Sequence, residues 1–128
     1  PPAIPETAHA FTALSHFRRI IMQELNALYD IVKERKNSPM EGSYTCYLFE
    51  QGLDKILKKV AEESGEVIIA AKNKDAEPLC GEICDLLYHL IVLLVQAELP
   101  LEQVCQELAL RAQKIGNLKK MKKVDHNT

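Results

Sequence analysis

The sequence predicts an all-α fold, in which a helical hairpin with flanking helices pairs with a second copy of the chain to form a dimeric bundle. Apolar residues recur every three or four positions from residue 11 to about residue 112, which is the period of an amphipathic α-helix. No stretch alternates apolar and polar residues in the way that a half-buried strand does. Two consecutive helical segments are joined by so short a connection that they must form a hairpin.

Length and composition indicate one folded domain. The chain has 128 residues, of which 47% are hydrophobic and 27% are charged, and its net charge is −2. This balance is typical of a globular protein and not of a disordered chain. Because positive charge is not in excess, the composition does not indicate binding to nucleic acid.

The cysteines and the longest apolar run indicate a cytoplasmic protein without a membrane span. Cys46, Cys80, Cys84 and Cys105 contain no C-x-x-C pair, and no export signal opens the sequence. We therefore expect free, buried thiols in a reducing compartment. The apolar run 86–95 is shorter than the roughly 20 residues that a membrane span requires, so we expect a buried helix.

Three regions are predicted along the chain. Residues 1–10 contain three prolines and are expected to form a linker or a disordered N-terminus. Residues 11–117 form the all-α domain. Residues 118–128 form a tail with four lysines, which is expected to be solvated or to attract an anionic substrate weakly.

The helices of the domain follow from the apolar period and from the residues that interrupt it. Proline, glycine and asparagine residues separate the periodic segments. The predicted helices are 11–36, 44–51, 53–72 or 53–73, 78–97, and a last helix that starts at Leu99-Pro100 and ends near Gly116.

Ser43 has two possible roles at the start of the short helix 44–51. Serine is a preferred N-cap residue, because its hydroxyl oxygen accepts a bond from a free backbone N–H. Alternatively, the hydroxyls of Ser43 and Thr45 face a phosphate or a ribose of a substrate. The sequence leaves both roles open.

Each arm of the predicted hairpin carries acids on one face of an otherwise apolar segment. At about 100° of rotation per residue, Glu62, Glu63 and Glu66 fall on one side of the first arm. Glu82 and Asp85 are separated by about 60° on the second arm. Like charges at these spacings destabilise a helix, so a compensating cation is expected.

Mg²⁺ suits such a cluster, because it prefers oxygen ligands and is commonly held by a few carboxylates together with substrate phosphates. Lys55, Lys58 and Lys59 lie within about 60° of Glu62 on the same face of the helix. Lysines beside a carboxylate site suit a phosphorylated substrate. The alternative is a solvated face that is stabilised by Lys–Glu pairs at helical spacing.

Several motifs resemble a known family. E-E-x-x-E at residues 62–66, followed after fifteen residues by E-x-x-D, resembles the metal-binding signature of the all-α nucleoside triphosphate pyrophosphohydrolase superfamily, which includes the MazG-like enzymes. More narrowly, the segment from about Leu25 to Arg111 resembles the phosphoribosyl-ATP pyrophosphohydrolase family of histidine biosynthesis. The motifs that carry this second resemblance are G-S-Y-T at 42–45, G-L-D-K-I-L-K-K-V at 52–60, A-A-K-N at 70–73 and D-L-L-Y-H at 85–89. Ser64-Gly65 departs from the usual pattern of the family.

The resemblance implies Mg²⁺-dependent hydrolysis of phosphoribosyl-ATP to phosphoribosyl-AMP and pyrophosphate. It implies that Glu62 is a metal ligand or the catalytic base, and that His89 orients a ligand or contacts substrate. The implied metal ligands are Glu63, also assigned to catalysis, Glu66, Glu82 and Asp85. The implied substrate-binding residues are Ser43, Thr45, Lys55, Lys58, Lys59, Asn73 and His89.

Two other functions remain compatible with the residues. A pyrophosphohydrolase that removes canonical or damaged nucleotides would use the same carboxylates, although G-S-Y-T and D-L-L-Y-H favour the histidine pathway. A non-catalytic helical interaction module would leave the acids solvated. For every alternative we expect a homodimer, because one chain of this length cannot cover the apolar run 86–95.

Overall fold

The structure is a computed structural model that describes residues 6–114, except for the side chains of residues 6–14, 17 and 21. The all-α prediction is confirmed, because residues 6–114 form helices and connecting turns and contain no strand. The five helices of this range are α1 (Glu6–Asn37), α2 (Tyr44–Gln51), α3 (Leu53–Lys72), α4 (Ala76–Gln96) and α5 (Leu101–Ala112).

The two ends of the domain differ from the prediction. Helix α1 begins at Glu6, so residues 6–10 of the predicted linker are helical. Acidic residue types are favoured in the first turn of a helix, where the dipole is positive, and the sequence has Glu6 at this start. Helix α5 ends at Ala112, where the N–H of Gln113 bonds to Leu110 and Arg111 carbonyls, and so it stops before Gly116. Residues 118–128, the predicted tail, lie outside the described residues.

Helix α2 is capped at both ends, and the cap at its start is one of the two roles that the sequence allowed for Ser43. The Ser43 hydroxyl oxygen accepts the N–H of Cys46 at 3.2 Å, which confirms that Ser43 is an N-cap. At the other end, the N–H of Gly52 donates to the carbonyl of Leu48 at 3.0 Å. Gly52 has φ of +89°, a conformation that glycine adopts without steric cost. The chain therefore turns from α2 into α3 without an intervening loop.

Helices α3 and α4 form the predicted hairpin and share the most extensive contact between any two of the described elements. The N–H of Asn73 donates to the carbonyl of Ile69 at 3.1 Å. Lys74 follows with φ of +56°, and this left-handed residue reverses the chain. As a result, the acidic face of α3 lies beside the start of α4.

All five helices contribute to one core. Its fully buried members are joined by partly buried side chains that include Leu25, Tyr29 and Leu94. The Tyr29 hydroxyl also donates to the carbonyl of Leu99 at 3.3 Å, which ties α1 to the turn between α4 and α5. The buried apolar residues of the cluster are Val32, Leu48, Ile56, Ile91, Val92, Val95 and Leu101.

Leu48→Ala is expected to lower the free energy of unfolding by about 2–5 kcal/mol, because it leaves a cavity in this core. Leu48 is 0% exposed, whereas Leu110, a matched control on α5, is 57% exposed. Leu110→Ala is therefore expected to change stability by no more than about 0.5 kcal/mol. Urea denaturation followed by circular dichroism measures both variants. Equal losses in the two variants would contradict the described core.

Helix α4 is only partly covered in this chain, as expected for an apolar run that one chain of this length cannot cover. His89, Ile91, Val92 and Val95 are buried, but Leu87 is 43% exposed and Leu90 is 37% exposed. The other described helices pack against one side of α4 and leave the opposite side open. Over its full length, α4 is long and apolar enough to cross a membrane. The run 86–95, on which the expectation from the sequence was based, is shorter than the helix that contains it. Core helices of water-soluble proteins share this length and composition.

The prediction that the cysteines are free thiols is confirmed, but the prediction that they are buried is not. All four cysteines are free thiols. Cys46 and Cys105 are partly covered, whereas Cys80 and Cys84 are exposed. They lie in the first turns of α4, before the part of the helix that enters the core.

Candidate metal and phosphate site

Three predicted ligands meet between the arms of the hairpin. One carboxylate oxygen from each of Glu63, Glu66 and Glu82 lies within 4.8 Å of the others. Glu63 and Glu66 are three residues apart on α3, and such residues project from the same face of a helix. Glu82 reaches the cluster from α4. The hairpin therefore brings together acids that are 16 to 19 residues apart in the sequence.

Two oxygens of this cluster have no hydrogen-bond partner among the described residues. They are Oε2 of Glu63 and Oε2 of Glu82, and both are buried. Glu63 as a whole is only 6% exposed. A buried carboxylate oxygen without a partner is strongly destabilising unless a cation compensates its charge. Three close carboxylates with two such oxygens fit a hard divalent cation, whose preferred ligands are oxygens.

Lys59 lies at the edge of the cluster and contacts two acids. Its Nζ is 3.0 Å from Oε2 of Glu62 and 3.3 Å from Oε1 of Glu63. The hydrogen bond to Glu62, followed by the one to Glu63, holds the pKa of Lys59 well above its ordinary value. The same bond holds the pKa of Glu62 below its ordinary value. Both groups are therefore charged at neutral pH, and Lys59 neutralises one side of the cluster.

Of the other two lysines on this face, Lys58 is exposed and Lys55 is half-buried. Lys58 is 4.0 Å from Glu62, which is one of the helical pairs of the solvated-face alternative. Lys55 influences Glu62 only over a longer distance, since it lowers the pKa of that carboxyl without an ion pair. These two lysines flank the cluster and leave it open to an anionic ligand.

His89 is buried behind Glu63 and is held at both ring nitrogens. It is 4% exposed, and its Nδ1 lies 2.7 Å from the backbone carbonyl of Asp85. A carbonyl can only accept, so Nδ1 carries the proton and Nε2 of the neutral ring is an acceptor. The Tyr44 hydroxyl donates to Nε2 at 3.2 Å. Nδ1 is also 4.0 Å from Oε1 of Glu63, which places His89 beside a candidate ligand.

Sequence reasoning missed two tyrosines at this site. Tyr44 stacks on Tyr88 with a centroid separation of 6.3 Å, and the Tyr88 hydroxyl is hydrogen-bonded to the hydroxyl of Thr45. Burial raises the pKa of both tyrosine hydroxyls. Both tyrosines lie within motifs of the family, G-S-Y-T and D-L-L-Y-H, which could have marked them as site residues. The sequence does not show, however, that these two motifs are in contact.

Other predicted site residues lie apart from the three carboxylates. Asp85 is exposed and is outside the cluster of Glu63, Glu66 and Glu82. Asn73 is the C-cap of α3 and is exposed. Glu62 follows the same face as the cluster but is directed to Lys58 and Lys59.

These features define a class of protein: an all-α domain with a cluster of three carboxylates between the arms of a helical hairpin and with lysines beside it. Comparison with known proteins is more specific. The sequence model of the family described as phosphoribosyl-ATP pyrophosphohydrolase matches residues 25–112. The chain therefore belongs to the phosphoribosyl-ATP pyrophosphohydrolase family.

Three similar proteins, each named phosphoribosyl-ATP pyrophosphatase, align with this chain over nearly their full length. The protein from Clostridium botulinum (strain Kyoto / Type A2) is 57% identical over 77% of this chain and 90% of its own length. The protein from Lactiplantibacillus plantarum is 54% identical over 77% of this chain and 92% of its own length. The protein from Listeria innocua is 54% identical over 79% of this chain and 97% of its own length.

Proposed function

We propose that this protein uses Mg²⁺, held between α3 and α4, to hydrolyse phosphoribosyl-ATP to phosphoribosyl-AMP and pyrophosphate. The reaction follows from membership of the family and from the shared name of the relatives. The protein is therefore an enzyme of histidine biosynthesis that hydrolyses a phosphoric anhydride.

The observation that supports the metal is the pair of buried, unpartnered oxygens on Glu63 and Glu82. Together with Glu66 they would hold Mg²⁺ through oxygen ligands. When bound, Mg²⁺ neutralises charge on the phosphate oxygens and makes water a better nucleophile. Asp85 is proposed as a fourth ligand, because its carboxylate is exposed one turn along α4 and makes no ion pair within 4.0 Å in the described part of the chain.

The residues around the metal position and bind the substrate. Lys59 holds Glu62 and Glu63 in place and contributes positive charge for a phosphate. Because Lys59 lowers the pKa of Glu62, Glu62 is a weak proton acceptor in this arrangement. We therefore propose that the main role of Glu62 is to anchor Lys59, in preference to the role of catalytic base or metal ligand.

Polar groups at two further positions are proposed to bind the rest of the nucleotide. The Ser43 hydroxyl uses an oxygen lone pair for its cap and would donate its hydrogen to a ribose or phosphate in place of the Cys46 thiol. Thr45, which is hydrogen-bonded to Tyr88, adjoins it at the start of α2. Asn73 lies about 10 Å along the helix axis from Glu66, so it can contact only a distal part of the substrate.

The lysines are expected to separate into two kinetic classes. Replacing Lys55 and Lys58 together by Ala should raise KM with little change in kcat, because these side chains are expected to bind phosphate equally in the ground and transition states. Lys59→Ala should also lower kcat, because Glu62 and Glu63 lose a shared partner. Steady-state pyrophosphate release measures both effects, with Lys33→Ala on α1 as the control. Unchanged kinetics in both the double variant and Lys59→Ala would support the solvated-face alternative.

The substrate is tested by measuring pyrophosphate release from phosphoribosyl-ATP, ATP and dUTP, each with and without Mg²⁺. The proposal expects phosphoribosyl-ATP to be the preferred substrate and activity to require the metal. A preference for ATP or dUTP would favour an enzyme that removes canonical or damaged nucleotides. Absence of activity on every substrate, with no effect of Mg²⁺ on stability, would favour a non-catalytic interaction module.

We further propose a cytoplasmic homodimer that binds neither nucleic acid nor a membrane. Ile83, Leu87 and Leu90 are exposed and repeat at helical spacing, so they form an apolar stripe along α4. A stripe of this kind on a water-soluble protein is commonly covered by a partner subunit. A membrane is a poor alternative cover, because α4 also carries Glu82, Asp85 and His89, and ionisable groups are costly within a bilayer.

A further inference from the structure

We propose that Tyr44 is a positioning residue, which acts through His89 to hold Glu63 in the geometry that binds the metal. This inference rests on the proposed Mg²⁺ site. Tyr44 belongs to α2, His89 to α4 and Glu63 to α3. The three side chains therefore connect the short helix α2 to both arms of the hairpin.

The first step is the contact between Tyr44 and His89. The Tyr44 hydroxyl donates to Nε2 of His89 at 3.2 Å, and the two rings meet edge to face with centroids 5.9 Å apart. It is the only hydrogen bond to Nε2 among the described residues. With Nδ1–H donating to the Asp85 carbonyl at 2.7 Å, the ring is fixed at both ends.

The second step is the contact between His89 and Glu63. Nδ1 is 4.0 Å from Oε1 of Glu63, which is too far for a hydrogen bond. Lys59 instead contacts this oxygen at 3.3 Å. The fixed ring thus limits where the Glu63 carboxylate can move, but it makes no hydrogen bond to that carboxylate. Oε2 of Glu63 has no hydrogen-bond partner in the described part of the chain.

Removal of the Tyr44 hydroxyl leaves the buried Nε2 without a donor. The bond to the Asp85 carbonyl is then the one hydrogen bond left on the ring among the described residues, and the ring can turn or shift toward Glu63. A histidine N–H that reaches Glu63 competes with the metal for the same carboxylate. Residues that support metal ligands from behind are known to affect metal affinity or activity about 10- to 100-fold when they are mutated.

The test compares Tyr44→Phe with Tyr47→Phe. Tyr47 stacks on Tyr44 with centroids 6.0 Å apart, and no hydrogen bond of its hydroxyl occurs among the described residues. Both variants keep the ring and lose only a hydroxyl. Mg²⁺ binding is measured by titration calorimetry and by the shift in Tm on adding Mg²⁺, in the absence of substrate. We expect Tyr44→Phe to weaken Mg²⁺ binding about 10-fold and Tyr47→Phe to leave it unchanged.

A double-mutant comparison shows whether Tyr44 acts through His89. Tyr44→Phe should weaken Mg²⁺ binding much less in a His89→Gln background than in the wild type, because the intermediate group is absent. Equal effects in both backgrounds would overturn the inference, as would equal Mg²⁺ affinity of Tyr44→Phe and Tyr47→Phe. If His89→Gln does not fold, the comparison of the two tyrosine variants decides alone. Failure of the wild type to bind Mg²⁺ would instead refute the proposed metal site.

Discussion

Glu63→Gln is expected to abolish both pyrophosphate release and the stabilisation of the protein by Mg²⁺. Glu63 is the most buried of the three clustered acids and has an unpartnered oxygen, so its charge is central to the site. A ligand at about 100 times its Kd stabilises the folded state by about 2.7 kcal/mol. The wild type should show this increase in millimolar Mg²⁺, and Glu63→Gln should not. Thermal unfolding with increasing Mg²⁺ measures the difference.

The activity of Glu63→Gln should fall by at least about 100-fold, the upper end of the effect of residues that merely support ligands. Glu24→Gln is the matched control, since it removes the same charge from an exposed position on α1. It should keep both the activity and the response to Mg²⁺. A wild-type Tm that is indifferent to Mg²⁺, or a Glu63→Gln variant that keeps its activity, would count against the site.

Leu87→Lys is expected to dissociate the homodimer and to lower activity in parallel. Leu87 lies at the centre of the exposed stripe of Ile83, Leu87 and Leu90. A lysine at this position would be buried without a counterion in the proposed dimer interface, which is costly. Leu94, in the same apolar run, is less suitable for this test. It packs against the core, so a charge at Leu94 would also unfold the chain.

Sedimentation at micromolar concentration should show two chains for the wild type and one for Leu87→Lys. The loss of activity should ease as protein concentration rises, because association depends on concentration. Leu110→Lys adds the same charge at an exposed leucine on α5 and should remain dimeric. A fully active wild-type monomer under these conditions would refute the proposed dimer.

Local chemistry was enough to predict the helices. The caps of α2, Ser43 and Gly52, depend on contacts within a few residues, and the N-cap role was one of the two that the sequence allowed for Ser43. Glu63 and Glu66 lie on the same face because of the rotation of about 100° per residue along one helix. The start of α1 and the end of α5 were less accurate, because helix ends depend on weak local preferences that several neighbouring residues can satisfy.

The sequence by itself determined the all-α fold, the hairpin and the set of candidate acids, because helical periodicity and turn residues act over short distances. Only the tertiary structure decided which acids meet, since the register between α3 and α4 depends on side-chain packing along their whole contact. That register joins Glu82 to Glu63 and leaves Asp85 outside the cluster. The packing of α2 against the hairpin likewise brings Tyr44 to His89, a contact across 45 residues that no periodicity encodes. The exposure of Leu87 follows from the same cause, because the side of α4 that faces the core is set by the packing of the other helices.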